Sequence, residues 1–355
     1  MLRDQKPQVS IEPSIAVIVA NYNDSRYLPR CLRSVLDQEV KPDELIVVDD
    51  GSTDDSVAVI RSVICGHAFA RLVVSEKNRG WMAALDSGLR VTRSTHVLFL
   101  SANDAVLPGI FERAKRSLQR APGAGLWSAL AWLVDEEDRP VRLHMSPVVS
   151  LKDAYFPAER CVRLAQRFGN WFTGSTLVYR RESLREVGGF DPMYGACSDL
   201  ITALVIASRW GAAYSPEPFG IIRIHRGSFS SSWLSDVPGL ERMLDRLRER
   251  GPALSPPLFT RTFLDWTASR LRFAAVRVSG GIAIPEVASF VSRPRRAALR
   301  LVDKLVPRIL RTPRVALAFV ILRPFDIFPT LWYRVVRWAV LRSRLDRHRL
   351  QSVGT

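Results

Sequence analysis

A chain of 355 residues, 47% hydrophobic and 24% charged, is long enough for one large domain or two, and its composition is not that of a disordered protein. Its formal charge of +16 is concentrated at the end: from Ser292 onward fifteen Arg and Lys face three Asp, a net +12, so the remainder is only mildly basic and no general affinity for nucleic acid is indicated. Cys31, Cys65, Cys161 and Cys197 are scattered with no CxxC pair, which argues against a zinc site or a disulfide scaffold and for reduced thiols. Met1 to Pro13 lacks an apolar signal core and no apolar run reaches eighteen residues, so the expected location is cytoplasmic.

The first apolar run, Ile15 to Ala20, is rich in β-branched residues and reads as a strand buried on both faces. It stops at Asn21-Tyr22-Asn23-Asp24. Tyr27 to Leu36 follows with helical spacing at Leu28, Cys31, Leu32, Val35 and Leu36. Leu45 to Val48 is a second buried strand, stopping at Asp49-Asp50-Gly51-Ser52-Thr53-Asp54, and a helix begins near Asp55. Leu72 to Val74 is a third strand, ahead of a helix over Trp81 to Val91. Val97 to Leu100 is the fourth, and it breaks at Ser101-Ala102-Asn103-Asp104 before a helix over Ile110 to Leu118.

Strands alternating with helices through short connections give a parallel sheet covered on both faces. In such sheets ligands bind beyond the carboxyl ends of the strands. That rule gathers Tyr22, Asp49, Asp50, Asn103 and Asp104 along one edge. Further strands are expected over Gly125 to Val134 and Thr173 to Tyr179, then helices over Arg181 to Val187 and Asp199 to Trp210. An extended segment ends at Ile222-Arg223-Ile224-His225-Arg226-Gly227-Ser228. From Val237 the texture turns to Arg-rich helices broken by Pro and Gly. The expected division is therefore residues 1–235 and 236–355.

Two readings stand side by side for each polar strand end. Gly51 supplies a left-handed turn and one of Ser52, Thr53 or Asp54 caps the next helix, but two further acids exceed that need. A carboxylate there can accept from a base edge, and Tyr22 can stack on a base or simply sit on the rim. Asp104 at the end of a buried strand loses hydration unless a cation or donor pairs with it, and it lies far from the helix entering at Pro108 to be its cap. Neither GxGxxG nor GxxxxGK[ST] occurs, which disfavours a hydride-transfer enzyme and a P-loop. Without a glycine cradle, a pyrophosphate needs a metal, and Asp104 is the hard ligand at hand.

Ile15 to Asn23, Leu45 to Asp54, Asn78 to Gly88, Phe99 to Pro108, Thr173 to Asp191, Ser198-Asp199 and Arg223 to Ser230 together resemble the GT-A-fold family 2 glycosyltransferases. The resemblance implies a Rossmann-like, mixed and mostly parallel sheet flanked by helices, with a basic helical region after it. It implies inverting sugar transfer from a nucleotide-sugar donor to a saccharide or lipid-linked acceptor, as in polysaccharide or glycolipid synthesis. Tyr22, Asp49, Asp50, Asn103 and His225 would hold the donor, Asp104 would bind Mg²⁺ or Mn²⁺, and Asp199 would be the catalytic base, with the cap of its own helix as the competing role. Trp171 and Thr173-Gly174 would line the acceptor side. The chain departs from the family where Asn103 replaces an acid, Ser198 the usual Glu, and Asp86 a common Asn. Asn103 and Ser198 support an alternative, a non-catalytic sugar-nucleotide-binding or scaffolding protein of a glycan biosynthetic complex. The basic tail, with Trp332, Tyr333 and Trp338, suits an anionic membrane surface at the inner leaflet; a helical subdomain or a homo-oligomer interface is the competing reading.

Overall fold

A computed structural model describes residues 12–144, 146–224, 233, 236–278, 293–305 and 317. The first half alternates as expected: β1 (Ile15–Asn21), α1 (Leu28–Leu36), β2 (Glu44–Asp49), α2 (Ser56–Ile64), β3 (Ala70–Val74), α3 (Trp81–Val91) and β4 (His96–Ser101). These strands are parallel in the order β3-β2-β1-β4, with Ala20 of β1 in register with Val48 on one side and Ser101 on the other. Because side chains alternate across a strand, Ala16 and Ile18 enter one apolar layer while Ile15, Val17 and Val19 enter the other. The α1 face of Leu28, Cys31, Leu32, Val35 and Leu36 is buried as its spacing predicts.

The second half widens the sheet. It contains β5 (Ala105–Val106), α4 (Ile110–Arg120), β6 (Leu126–Val134), β7 (Pro140–Leu143), β8 (Ala154–Phe156) and α5 (Ala158–Phe168). Then come β9 (Val178–Arg180), α6 (Arg181–Glu186), α7 (Ser198–Trp210) and β10 (Ala212–Arg223). The full order is β3-β2-β1-β4-β9-β6-β10-β5, with β7 on β6 and β8 on β10. The longest ladders are parallel, and β9 inserts antiparallel between β4 and β6. The mixed, mostly parallel sheet flanked by helices is therefore as expected.

Two local expectations need correction. The run Thr173 to Tyr179 is not one strand: Gly174–Thr176 forms a 3₁₀ turn and only Val178 onward pairs. The Thr176 hydroxyl donates to the Ala129 carbonyl at 2.8 Å and accepts from the Ala129 N–H at 3.1 Å, so a side chain stands where the ladder would be. The stretch between Val134 and Thr173, for which no element was expected, carries β7, β8 and α5, whose buried Cys161, Val162 and Ala165 follow Pro157.

Beyond residue 236 lie α8 (Val237–Leu254), α9 (Arg261–Val278) and α10 (Arg293–Leu305). Leu240, Met243, Leu244 and Leu247 of α8, with Phe263, Leu264 and Ala268 of α9, belong to the same apolar layer as β6 and α7. Apolar packing of these helices onto that layer continues past residue 236 as far as Leu271. The aromatic tail read as membrane-facing lies outside the described residues.

At the amino edge of the sheet, away from the strand ends of interest, Glu44 is 9% exposed. Its Oε1 accepts from Thr92 Oγ1, the N–H groups of Arg93 and Ser94 and Ser94 Oγ at 2.6–2.9 Å, and its Oε2 from Arg71 at 2.7 Å. Burial pushes this carboxyl up, but the hydrogen bonds together hold it below its ordinary 4.5. Its stabilisation is therefore present above that pH and fades as pH falls. Glu44→Ala strands these donors and is expected to lower stability by about 3 kcal/mol or more in urea unfolding, without changing any ligand affinity.

Candidate active site

The carboxyl ends of β1, β2 and β4 share one edge because these strands are parallel. The antiparallel β9 begins there, since Val178 pairs with Leu98, so the Gly174–Thr176 turn lies at that edge as well. The parallel pair β6 and β10 ends there with Val134 opposite Arg223.

Asp49 and Asp50 part company at the end of β2. Asp49 is fully buried; its carboxylate accepts from Asn21 Nδ2 at 2.7 Å, Ser52 Oγ at 2.7 Å and Ser52 N at 3.0 Å. It builds the turn and has no face toward a ligand, because a carboxylate filled by local donors is a scaffold group. Asp50 takes the N–H groups of Arg79 and Gly80 on Oδ2 at 2.9 and 2.7 Å, while its buried Oδ1 has no partner among the described residues. A buried acceptor without a donor is costly, and a ligand N–H at that point would remove the cost. Gly51 between this turn and the β3–α3 loop is required: it has φ of +74°, and a Cβ would lie 2.6 Å from the Lys77 backbone. Tyr22, beside it after β1, is 45% exposed, as a stacking platform needs to be.

Asp104 follows β4. Its Oδ1 accepts the Arg223 N–H at 3.0 Å; its Oδ2 has no hydrogen bond or ion pair among the described residues. It does not cap α4, whose N-cap is Gly109. Burial pushes its carboxyl up to about 7, with the Asp24 carboxylate adding to the rise and Arg223 opposing it. No group of three or more His, Cys, Asp or Glu is placed to hold a metal among the described residues. The donors present nevertheless fit a hard cation. An oxygen of Asp104 is open, Asp24 adds negative charge, and Mg²⁺ commonly takes one or two carboxylates and completes its shell with substrate phosphates and water. His225 lies outside the described residues.

Asp199 sits in the first turn of α7 and is tied to β4 through Tyr179, whose hydroxyl donates to the Asp199 carbonyl at 2.9 Å and whose ring lies 5.8 Å from that of Phe99. Its Oδ1 accepts from Leu200 N at 2.7 Å. Its Oδ2 lies over Gly174, where a Cβ would approach to 2.8 Å, so the glycine makes room for the carboxylate. Burial pushes this carboxyl up to about 6. Ser198 beside it is fully buried, and its hydroxyl donates to the Asp191 carbonyl at 2.9 Å. Trp171 is corrected: it is fully buried against Phe156, Phe172 and Tyr214 and lines no ligand surface.

The edge thus presents an exposed aromatic, two carboxylates with open oxygens and a third with weakened acidity. The sequence profile of the glycosyl transferase family 2 domain matches residues 16–188, which take in Tyr22, Asp50 and Asp104 and stop short of Asp199. Residues 16–188 belong to glycosyl transferase family 2.

The relatives agree with that family. An uncharacterized glycosyltransferase of Nostoc sp. is 31% identical over 182 residues, 50% of this chain and 54% of that protein. The succinoglycan biosynthesis protein ExoO of Rhizobium meliloti is 31% identical over 119 residues, 34% of this chain and 33% of that protein. This chain therefore spans about half the length of the first relative and a third of the second. The fold matches the mannosyltransferase PcManGT of Pyrobaculum calidifontis, solved with GDP-Man and Mn²⁺, at a TM-score of 0.53 and 22% identity, over 93% of this chain and 90% of that one. The architecture is the GT-A fold of glycosyltransferases. Arg223, on the same edge and in contact with Asp104, was given no role by its sequence position; its signal was only its place at the end of an apolar strand.

Proposed function

We propose that this glycosyltransferase chain moves a sugar from a nucleotide-sugar donor to a hydroxyl of a saccharide or lipid-linked acceptor, with inversion, in the synthesis of a polysaccharide or glycolipid. The observation that supports the reading is that Asp104, with an open oxygen, and Asp199, with weakened acidity and its Oδ2 over Gly174, each lie at the sheet edge that also bears Tyr22 and Asp50. Tyr22 stacks on the base and the buried Asp50 Oδ1 accepts its N–H, while Asn103 faces the ribose. Asp104, with Asp24 nearby, holds the Mg²⁺ or Mn²⁺. When bound, that ion neutralises charge on the diphosphate.

The acceptor oxygen forms its bond to the anomeric carbon as the bond from that carbon to the diphosphate oxygen breaks. The breaking bond's electrons leave with the nucleoside diphosphate, and the acceptor proton passes to the Asp199 carboxylate. A base with its pKa near 6 is mostly ionised at neutral pH yet still accepts a proton better than an ordinary aspartate.

Calorimetric titration of UDP-, GDP- and dTDP-sugars in the presence of Mn²⁺ tests donor binding. Binding of at least one, lost without Mn²⁺ and in Asp104→Ala, is expected; binding of none would overturn the reading. The neighbour's GDP-Man and Mn²⁺ and the relative's succinoglycan pathway support donor, ion and product class.

No described helix is long and apolar enough to cross a membrane. α10 exposes Leu301 and Leu305 one turn apart beside Arg300 and Lys304, which supports peripheral attachment to an anionic inner leaflet. Flotation with phosphatidylserine vesicles should carry the full chain at low salt and lose it when residues beyond 292 are removed. Equal flotation of both forms would count against attachment through this region.

A further inference from the structure

Arg223 closes β10, and its guanidinium is buried; the residue is 5% exposed. A guanidinium out of water must place its N–H groups on acceptors. All three of its nitrogens have done so. Nε donates to the Asn103 carbonyl at 3.1 Å, and Nη1 to the carbonyls of Asp135 and Glu136 at 3.1 and 3.0 Å. Nη2 pairs with the Asp138 carboxylate at 2.5 Å, and Cζ lies 4.7 Å from the centre of the Tyr27 ring. Asp138 also pairs with Arg30 of α1. The loops β1–α1, β4–β5 and β6–β7 therefore meet on one side chain.

An arginine beside a diphosphate site invites the reading of a phosphate ligand. The partners of Arg223 argue otherwise, because each nitrogen is already committed to protein. We propose that Arg223 is a positioning residue whose side chain clamps the Asn103 carbonyl to the β6–β7 turn and so fixes the direction in which Asp104 Oδ2 meets the cation. The inference rests on the reading of Asp104 as the cation ligand. Its basis is two-point attachment: the Arg223 backbone N–H holds Oδ1 of Asp104, and the Arg223 Nε holds the carbonyl just before it. Loss of the guanidinium leaves the first bond and frees the second, so the carboxylate can swing. Groups that orient a metal ligand in this way are commonly worth about 10–100-fold in metal affinity.

The test uses the full chain with Mn²⁺ alone as probe, free Mn²⁺ being read by electron paramagnetic resonance and folding by thermal melting. Arg223→Lys keeps the charge but replaces a fork by a single point. It is expected to weaken Mn²⁺ binding about tenfold or more, and Asp138→Asn by a smaller factor. Wild-type Mn²⁺ affinity in Arg223→Lys, with binding abolished in Asp104→Asn, would overturn the positioning role and leave the reading of Asp104 standing. Undiminished binding in Asp104→Asn would overturn both. If Arg223→Lys does not fold, Asp138→Asn decides: unchanged Mn²⁺ affinity there counts against the clamp, and weakened affinity at an unchanged melting temperature supports it.

Discussion

Asp199→Asn is expected to lower turnover by about 10²–10⁴-fold while leaving donor binding within about twofold, because only the proton acceptor is removed. Asparagine retains the shape and can still accept from Leu200 N, so the Gly174 side of the site stays as it is. The wild-type rate should rise with pH through about 6, where Asp199 ionises. At saturating Mn²⁺, where proton competition at Asp104 is overcome, the residual rate of the variant should lack that limb. Steady-state kinetics over pH 5–9 at saturating Mn²⁺ checks both, and a rate reduced with the pH limb intact would assign the base to another residue.

Asp104→Asn is expected to abolish metal-dependent activity and yet to stabilise the fold at neutral and higher pH. Burial pushes the Asp104 carboxyl from 3.8 up to about 7 in the folded chain. The folded state thus holds this proton more tightly than the unfolded state, which favours folding at low pH and is lost as pH rises from 3.8 toward 7. Above that window the ionised carboxylate destabilises the metal-free fold by an amount on the order of 4 kcal/mol. Asparagine removes most of that cost but also the attraction to Arg223, so a gain of about 2 kcal/mol is a fair expectation. Urea unfolding of metal-free protein should show the variant more stable at pH 8 and equal to wild type at pH 4. A variant less stable at pH 8 would mean that the carboxylate is a structural partner of Arg223. Protons should also compete with the metal below pH 7, raising the Mn²⁺ concentration needed for half-maximal rate.

The first half of the sheet was legible because each strand is buried on both faces and each helix is one-sided, so periodicity carries the information. β4 and its break at Ser101 were legible for the same reason. The roles of neighbouring acids were not. Asp49 and Asp50 are adjacent and identical in chemistry, yet one is filled by Asn21 and Ser52 and the other keeps an open oxygen. Only the positions of donors from other segments separate them. Trp171 likewise was expected to line the acceptor side, but Phe156 of β8 and Tyr214 of β10, neither near it in sequence, pack against it. Thr176 broke an apparent strand by taking ladder bonds on its hydroxyl, a choice that local pattern does not encode. Arg223 showed itself only when three loops distant in sequence were brought together.

The central claim is that the carboxylates on this edge carry out glycosyl transfer. Release of nucleoside diphosphate from UDP-, GDP- and dTDP-sugars with Mn²⁺ and a saccharide or lipid-linked acceptor, compared between wild type and Asp199→Asn, tests it most directly. Wild type is expected to show acceptor-dependent release from at least one donor, and the variant a rate lower by about 10² or more. Equal rates in the two proteins, or donor binding without release, would contradict it and favour a sugar-nucleotide-binding protein that does no chemistry.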